Sequence, residues 1–181
     1  YFLVLMKEEE IKDLLKYFFE AGQLKHVKRS GWWVAKIKDP ESVAEHSWRA
    51  AVISLVLAHA ENFPNPEKVA CRVLLHDLHE TRLLDQHKIS SSYSRFSKEA
   101  KKKVELDQCA LLGKHGEKML SLLNDDSMLR IAKDADMLEC ALTAREYFDI
   151  GYKDAWDWIE RVEQVLTTST AKELCSLLKK T

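Results

Sequence analysis

Apolar residues recur at the α-helical period along nearly every long segment of this chain, and nowhere do they alternate convincingly over strand length. Helices with one greasy stripe have to bury it against one another. Only 5 Gly and 3 Pro occur in 181 residues, too few turn formers for an all-β sandwich or barrel. Apolar residues make up 46% of the chain, enough for one domain with its own core and against disorder. The expectation is therefore a single all-α domain over 1–181, with its core at about 10–165 and a C-terminal helix at about 170–180.

The segments can be placed from their breaks. A first helix is expected at about 7–21, with Ile11, Leu14, Leu15, Phe18 and Phe19 at helical spacing and Gly22 as its stop. Residues 25–40 read as irregular. A second helix is expected at about 41–61, with Pro40 ahead of it and Glu41 in its first turn, and "FPNP" at 63–66 ends that unit. Further helices are expected at about 66–79, 97–113, 126–149, 152–166 and 170–180. Gly113 and Gly116 loosen the chain, and Leu106, Cys109, Ala110 and Leu112 read as core. The stretch 86–96, with Ser90, Ser91 and Ser92, reads as a mobile segment that could close over a substrate.

Charge narrows the partners. Lysine plus arginine (28) nearly balances aspartate plus glutamate (29), so no strong field points to a long nucleic acid or a membrane. "KKK" at 101–103 reads as a solvated helix face. No apolar run approaches the roughly 20 residues that span a bilayer. The opening "YFLVLM" is too short for a leader and has no cleavage site, and the initial Tyr suggests that a few leading residues are missing. Cys71, Cys109, Cys140 and Cys175 form no CxxC pair, and read as reduced packing residues of a cytoplasmic protein.

Against this background, "VLLHDLHE" at 73–80 drives a greasy run straight into His76, Asp77, His79 and Glu80. Elsewhere, His46 shares a helix face with Val43, Ala50, Ile53 and Leu57, so it should point inward. Asp136 shares a face with Ala132, Cys140 and Thr143, while Asp134 lies about 200° round the same helix and should point elsewhere. An inward carboxylate is costly unless it is paired or bound to a cation. One divalent ion held by His46, His76, Asp77 and Asp136 answers all of these at once. Two imidazoles and two carboxylates suit Mn, Fe, Co, Ni or Zn better than Ca, with Mg as a further candidate. The spacing leaves other readings open: a satisfied core histidine, a His-Asp helix cap, or an Asp136 bridge to Lys133 or Arg145.

His46, the pair His76-Asp77 and the distant Asp136 resemble the H…HD…D signature of the HD-domain metal-dependent phosphohydrolases. The likeness is to the branch of the 5'-deoxynucleotidases and their archaeal and eukaryotic relatives. It runs over about residues 10–165, carried by "GWW…PESVAEHSWRAAV", by "LLHDLHE" followed by Asp85, and by "AKDADMLECALTAREY". The resemblance implies an all-α HD fold, a divalent metal, and hydrolysis of nucleoside 5'-monophosphates to nucleoside and phosphate. It gives Glu80 a catalytic role in moving protons and places Asp85 at the nucleotide to position substrate or water.

It also implies that Trp32 crowds the sugar, with plain packing of Trp32 and Trp33 as the alternative. Two positions depart from the pattern. Gly31 stands where the bacterial enzymes have the Arg of an Arg-Trp pair, so Arg29, Lys28 or Arg49 would have to meet the phosphate. Leu84 stands where many relatives have Gly, and Leu cannot take every backbone path open to Gly. His79 is an additional candidate ligand, and Glu45 is expected to turn away from the metal. The aromatic set Tyr147, Phe148, Tyr152, Trp156 and Trp158 could bury a helix or make a subunit contact, and the family resemblance implies a homodimer. The rival readings are another phosphoester as substrate, or a binding module stapled by its metal.

Overall fold

The computed structural model describes residues 6–94 and 96–181, and among them there is no strand, only one isolated bridge between Lys28 and Ser42. In chain order the helices are α1 (Glu8–Gly22), α2 (Gly31–Val34), α3 (Val43–Ala60), α4 (Pro66–Leu75), α5 (Glu80–Leu83) and α6 (Lys88–Tyr93). They continue with α7 (Lys98–Ala110), α8 (Gly116–Leu123), α9 (Leu129–Asp149), α10 (Trp156–Val165) and α11 (Ser169–Leu178). No helix of the described residues is long and apolar enough to cross a membrane. The first five residues of the stretch read as too short for a leader lie outside the described ones.

Helix α3 is the spine, packed on α4 and on α9, and α9 in turn carries α10 and α11. Its start is written in a capping box: Ser42 Oγ accepts from the Glu45 amide at 3.2 Å, and Glu45 accepts from the Ser42 amide at 2.6 Å. Glu45 thus turns to the helix end, and the helix begins two residues later than expected, leaving Glu41 ahead of it. The main core joins Leu57 of α3, Val69 and Val73 of α4, Leu138 of α9, Ile159 of α10 and Cys175 of α11. Each such side chain contributes about 1.5–3 kcal/mol by leaving water. A second cluster, Tyr17, Leu24, Val27, Val43, Leu78 and Leu112, seats α1 against the turn after α4.

Asp134 anchors the C-terminal helix. It is buried, accepts from the Thr168 amide at 2.7 Å and hydroxyl at 2.8 Å, and takes the Thr167 amide at 3.1 Å. Thr168 is the N-cap of α11, so one buried carboxylate of α9 holds the entrance of that helix.

Several expectations are corrected. The third helix stops at Leu75 with His76 as its cap, and the chain turns before α5. Residues 88–93 and 116–123 are helical. In α1 the helix forms, but Ile11, Leu15, Phe18 and Phe19 are exposed and Tyr17 is the buried residue. Leu106 is exposed, while Cys109 and Leu112 are core. All four cysteines are free, yet Cys71 lies on the surface. Residues 101–103 form the solvated helix face expected of them, and Lys101 lies within 3.9 Å of Glu105. The aromatic set packs within the chain: Trp32 meets Tyr147 at 5.2 Å and Trp158 at 5.4 Å, and Phe148 meets Trp156 at 4.8 Å.

Candidate metal centre

Three elements meet at one point. His46 sits one turn into α3, His76 and Asp77 follow the end of α4, and Asp136 lies in the second turn of α9. One ligand atom each from His46, His76 and Asp77 lie within 4.8 Å of one another. Asp136 adds a carboxylate oxygen 3.1 Å from His46 Nε2 and 3.8 Å from His76 Nε2. Asp77 lies 3.1 Å from His76 Nε2 and 3.9 Å from His46 Nε2.

Neither Nε2 makes a hydrogen bond of good geometry, although both are buried. Buried polar atoms are seldom left unpaired, so two orphan imidazole nitrogens facing two carboxylates fit a shared cation. The other ring nitrogens are occupied. His76 Nδ1 reaches the Val73 carbonyl at 2.6 Å, and His46 Nδ1 is bonded to Glu139. Each ring is therefore held with Nε2 toward the centre. The residues present suit a divalent transition metal.

The electrostatics follow from crowding opposite charges in a buried space. Burial disfavours the imidazolium of His76, but Asp77 and Asp136 outweigh it and raise its pKa well above the usual value. For His46, burial and Arg29 lower the pKa, while Asp136 and Glu139 lift it to a net rise. Burial opposes ionisation of Asp77, yet His76 and Arg29 hold its pKa below the ordinary carboxylate range. Asp136 is lowered well below that range, against burial, by the two imidazoles.

Glu80 behaves in the opposite way. Burial, then Asp77 and Asp85, push its pKa up to about 9, and its Oε2 has no partner within the described residues. Asp85 accepts from the Ser30 amide, and its own carbonyl accepts from Ser30 Oγ at 3.1 Å. Leu84 between them has φ 65° and ψ 160°, the glycine-like path that the substituted position put in question. Arg29 reaches into the same cluster, 3.7 Å from Asp77 and 4.0 Å from Asp85. His79 Nδ1 donates to the His76 carbonyl at 3.1 Å, and burial and Lys101 lower its pKa to about 4. Its ring still lies close enough to Asp77 and Glu80 to form a second group of ligand-type atoms.

Two expected substrate residues are engaged by partners within the protein. Trp32 is only 2% exposed, and its indole N–H donates to Glu41 at 3.1 Å, so the packing alternative describes its place. Arg49 is committed to the Glu139 carboxylate at 2.9 Å, to Thr143 at 2.5 Å and to Glu146 at 2.6 Å, which leaves it no open fork for a phosphate. Glu139 itself is the functional-site residue that the sequence reading missed. It lies three residues after Asp136 on the same stripe of α9 and is fully buried.

A family model described as HD domain matches residues 21–178. The 5'-deoxynucleotidase HDDC2 of Homo sapiens is 28% identical over 152 residues, which cover 78% of this chain and 72% of that protein. The crystal structure of the genomics target APC5600 superposes with a TM-score of 0.81 at 33% identity, covering 93% of this chain and 95% of the other. The HD phosphohydrolase DatZ of cyanophage S-2L, solved with dA and one catalytic Zn2+, shares the fold at a TM-score of 0.59 and 17% identity, covering 90% and 96%.

Proposed function

This chain belongs to the HD-domain phosphohydrolases, and from that premise we propose that it hydrolyses nucleoside 5'-monophosphates, deoxy forms among them, to nucleoside and inorganic phosphate. The observation that carries the reading is the convergence of His46, His76 and Asp77, joined by Asp136, with both Nε2 atoms unpaired. These four residues would hold one divalent ion. When bound, the ion supplies a Lewis acid that draws charge from the phosphoryl group and makes water acidic near neutral pH.

The remaining steps fall to the chain's own side chains. Arg29 is an always-charged guanidinium beside Asp77 and Asp85, placed to stabilise the phosphoryl oxygens as charge builds on them. Glu80 holds a proton and has one carboxyl oxygen free of internal partners. It gives that proton to the 5'-oxygen as the bond from phosphorus breaks, and regains one from the water that forms the new bond. Asp85, fixed by Ser30, orients the water. The similarity to 5'-deoxynucleotidases supports the monophosphate as substrate. The same reading makes the protein a homodimer, and Trp48, Val52 and Val56, exposed one turn apart along α3, supply an apolar stripe for a second copy.

Phosphate release from a panel of deoxy- and ribonucleoside 5'-monophosphates tests the reading. The protein would be stripped of metal and supplied in turn with Mn, Co, Ni, Zn and Mg. Release that needs a metal and disappears in Asp77→Ala is the expected result. Release only from diesters or triphosphates would replace the substrate class. Full metal binding with no hydrolysis of any phosphoester, unchanged by Glu80→Ala, would leave a metal-stapled binding module.

A further inference from the structure

Helix α9 brings two carboxylates to one imidazole. Asp136 lies 3.1 Å from Nε2 of His46, and Glu139, one turn later, is bonded to Nδ1 of the same ring. Glu139 has no exposed surface, so its charge must be met inside the protein. It is met by Arg49, whose Nε and a terminal nitrogen lie 3.0 Å and 2.9 Å from one oxygen, and by Thr143 Oγ at 2.8 Å. The other oxygen is left for His46.

We propose that Glu139 is a positioning residue of the metal site: it fixes the proton of His46 on Nδ1 and so sets how tightly the cation is held. The inference rests on the preceding reading that His46 is a ligand. A carboxylate at Nδ1 can only accept, so the ring's proton resides there and the Nε2 lone pair is free for the metal. A partner of this kind also makes the imidazole a stronger donor and holds its plane. Arg49 takes part from the outside. It pins the second oxygen of Glu139 and is itself tied to the exposed Glu146 at 2.6 Å.

Glu139→Gln is the discriminating variant. Glutamine keeps one carbonyl acceptor and replaces the other oxygen with a donor, so it cannot serve His46 and Arg49 together. The measurement is Zn2+ affinity by chelator competition for wild type, Glu139→Gln, Glu139→Ala and Asp136→Ala, with circular-dichroism melts of the metal-free forms. Histidine 1H–15N spectra of the metal-free and zinc-loaded proteins report which ring nitrogen of His46 carries the proton. The expected result is a Zn2+ affinity about 10- to 100-fold weaker in Glu139→Gln while its metal-free fold is kept, with loss of the fixed Nδ1–H signal. Unchanged affinity and an unchanged signal in Glu139→Gln would overturn the inference and leave the metal reading standing. Wild-type protein that folds but takes up no more zinc than Asp136→Ala would overturn the metal reading and the inference with it.

Discussion

Leu84 is held at φ 65° and ψ 160°, a region almost reserved for glycine, and its side chain stands 62% exposed. Strain of that kind costs about 1–3 kcal/mol in an L-residue. Little packing is lost on removing the side chain, and glycine's greater freedom in the unfolded chain returns about 0.5–1 kcal/mol of the gain. Leu84→Gly is therefore expected to stabilise the metal-free protein by about 1 kcal/mol, a rise of about 2–4 °C in Tm. A melt that is unchanged or lower would show that the backbone here is relaxed. The departure was visible in the sequence, as a Leu next to Asp85; only the structure supplies the dihedral that gives it a cost. At the same scale, His46, His76, Asp77 and Asp136 could be read because each interrupts an apolar helix face. Glu139 could have been read too, since 136, 139 and 143 lie on one stripe of a 3.6-residue helix. Arg49 and Trp32 could not, because a charge or a ring does not name its partner across 90 or 115 residues of chain.

On α9, two aspartates two residues apart have opposite duties. Asp134 holds the start of α11 through Thr167 and Thr168, and Asp136 faces the imidazoles. Asp134→Ala leaves the buried Thr168 amide and hydroxyl without their charged acceptor, a loss of about 3 kcal/mol or more. Its metal binding should survive at temperatures where it is folded. Asp136→Asn removes a carboxylate whose pKa the two imidazoles hold down, so its metal-free form should be less stable than wild type near neutral pH. It should lose the stabilisation that zinc gives wild type, which amounts to about 2.7 kcal/mol at a free metal concentration 100 times Kd. Melts of both variants with and without zinc would separate them, and matching behaviour would refute the division. Helix existence was legible at this scale, and helix coverage was not. The period of α1 announces an apolar face, but Ile11, Leu15, Phe18 and Phe19 are left outside, because periodicity does not say whether a neighbour is present. Helices α6 and α8 have only 6 and 8 residues, too short for a period to register.

For the molecule as a whole, Glu20 ties the first helix to the rest. It receives Arg82 at 2.6 Å and 2.8 Å and Gln108 at 2.8 Å, joining α1, α5 and α7. Arg82 is the main cause of its lowered pKa, with burial opposing and Gln108 assisting. A carboxylate depressed in the folded state adds stability above its unfolded pKa, near 4.5, and loses it as pH falls through the folded value. Wild type should thus exceed Glu20→Gln in stability by an amount that is constant near neutral pH. The gap should shrink as pH drops below about 4.5. Denaturant melts across pH 3–7 check this, and a gap that widens in acid would reverse the sign.

His46, His76 and Asp136 come from α3, the end of α4 and α9, with 60 further residues separating the last pair. No short fragment of the chain contains the site, so its assembly waits for contacts between distant segments. A cation would then find its full set of donors only late in folding, after the three helices have docked. Added zinc should leave the refolding rate nearly unchanged and slow unfolding by most of its effect on stability. The ion would act as a latch on the finished protein and take no part in building it, and stopped-flow folding and unfolding with and without zinc would tell the two apart.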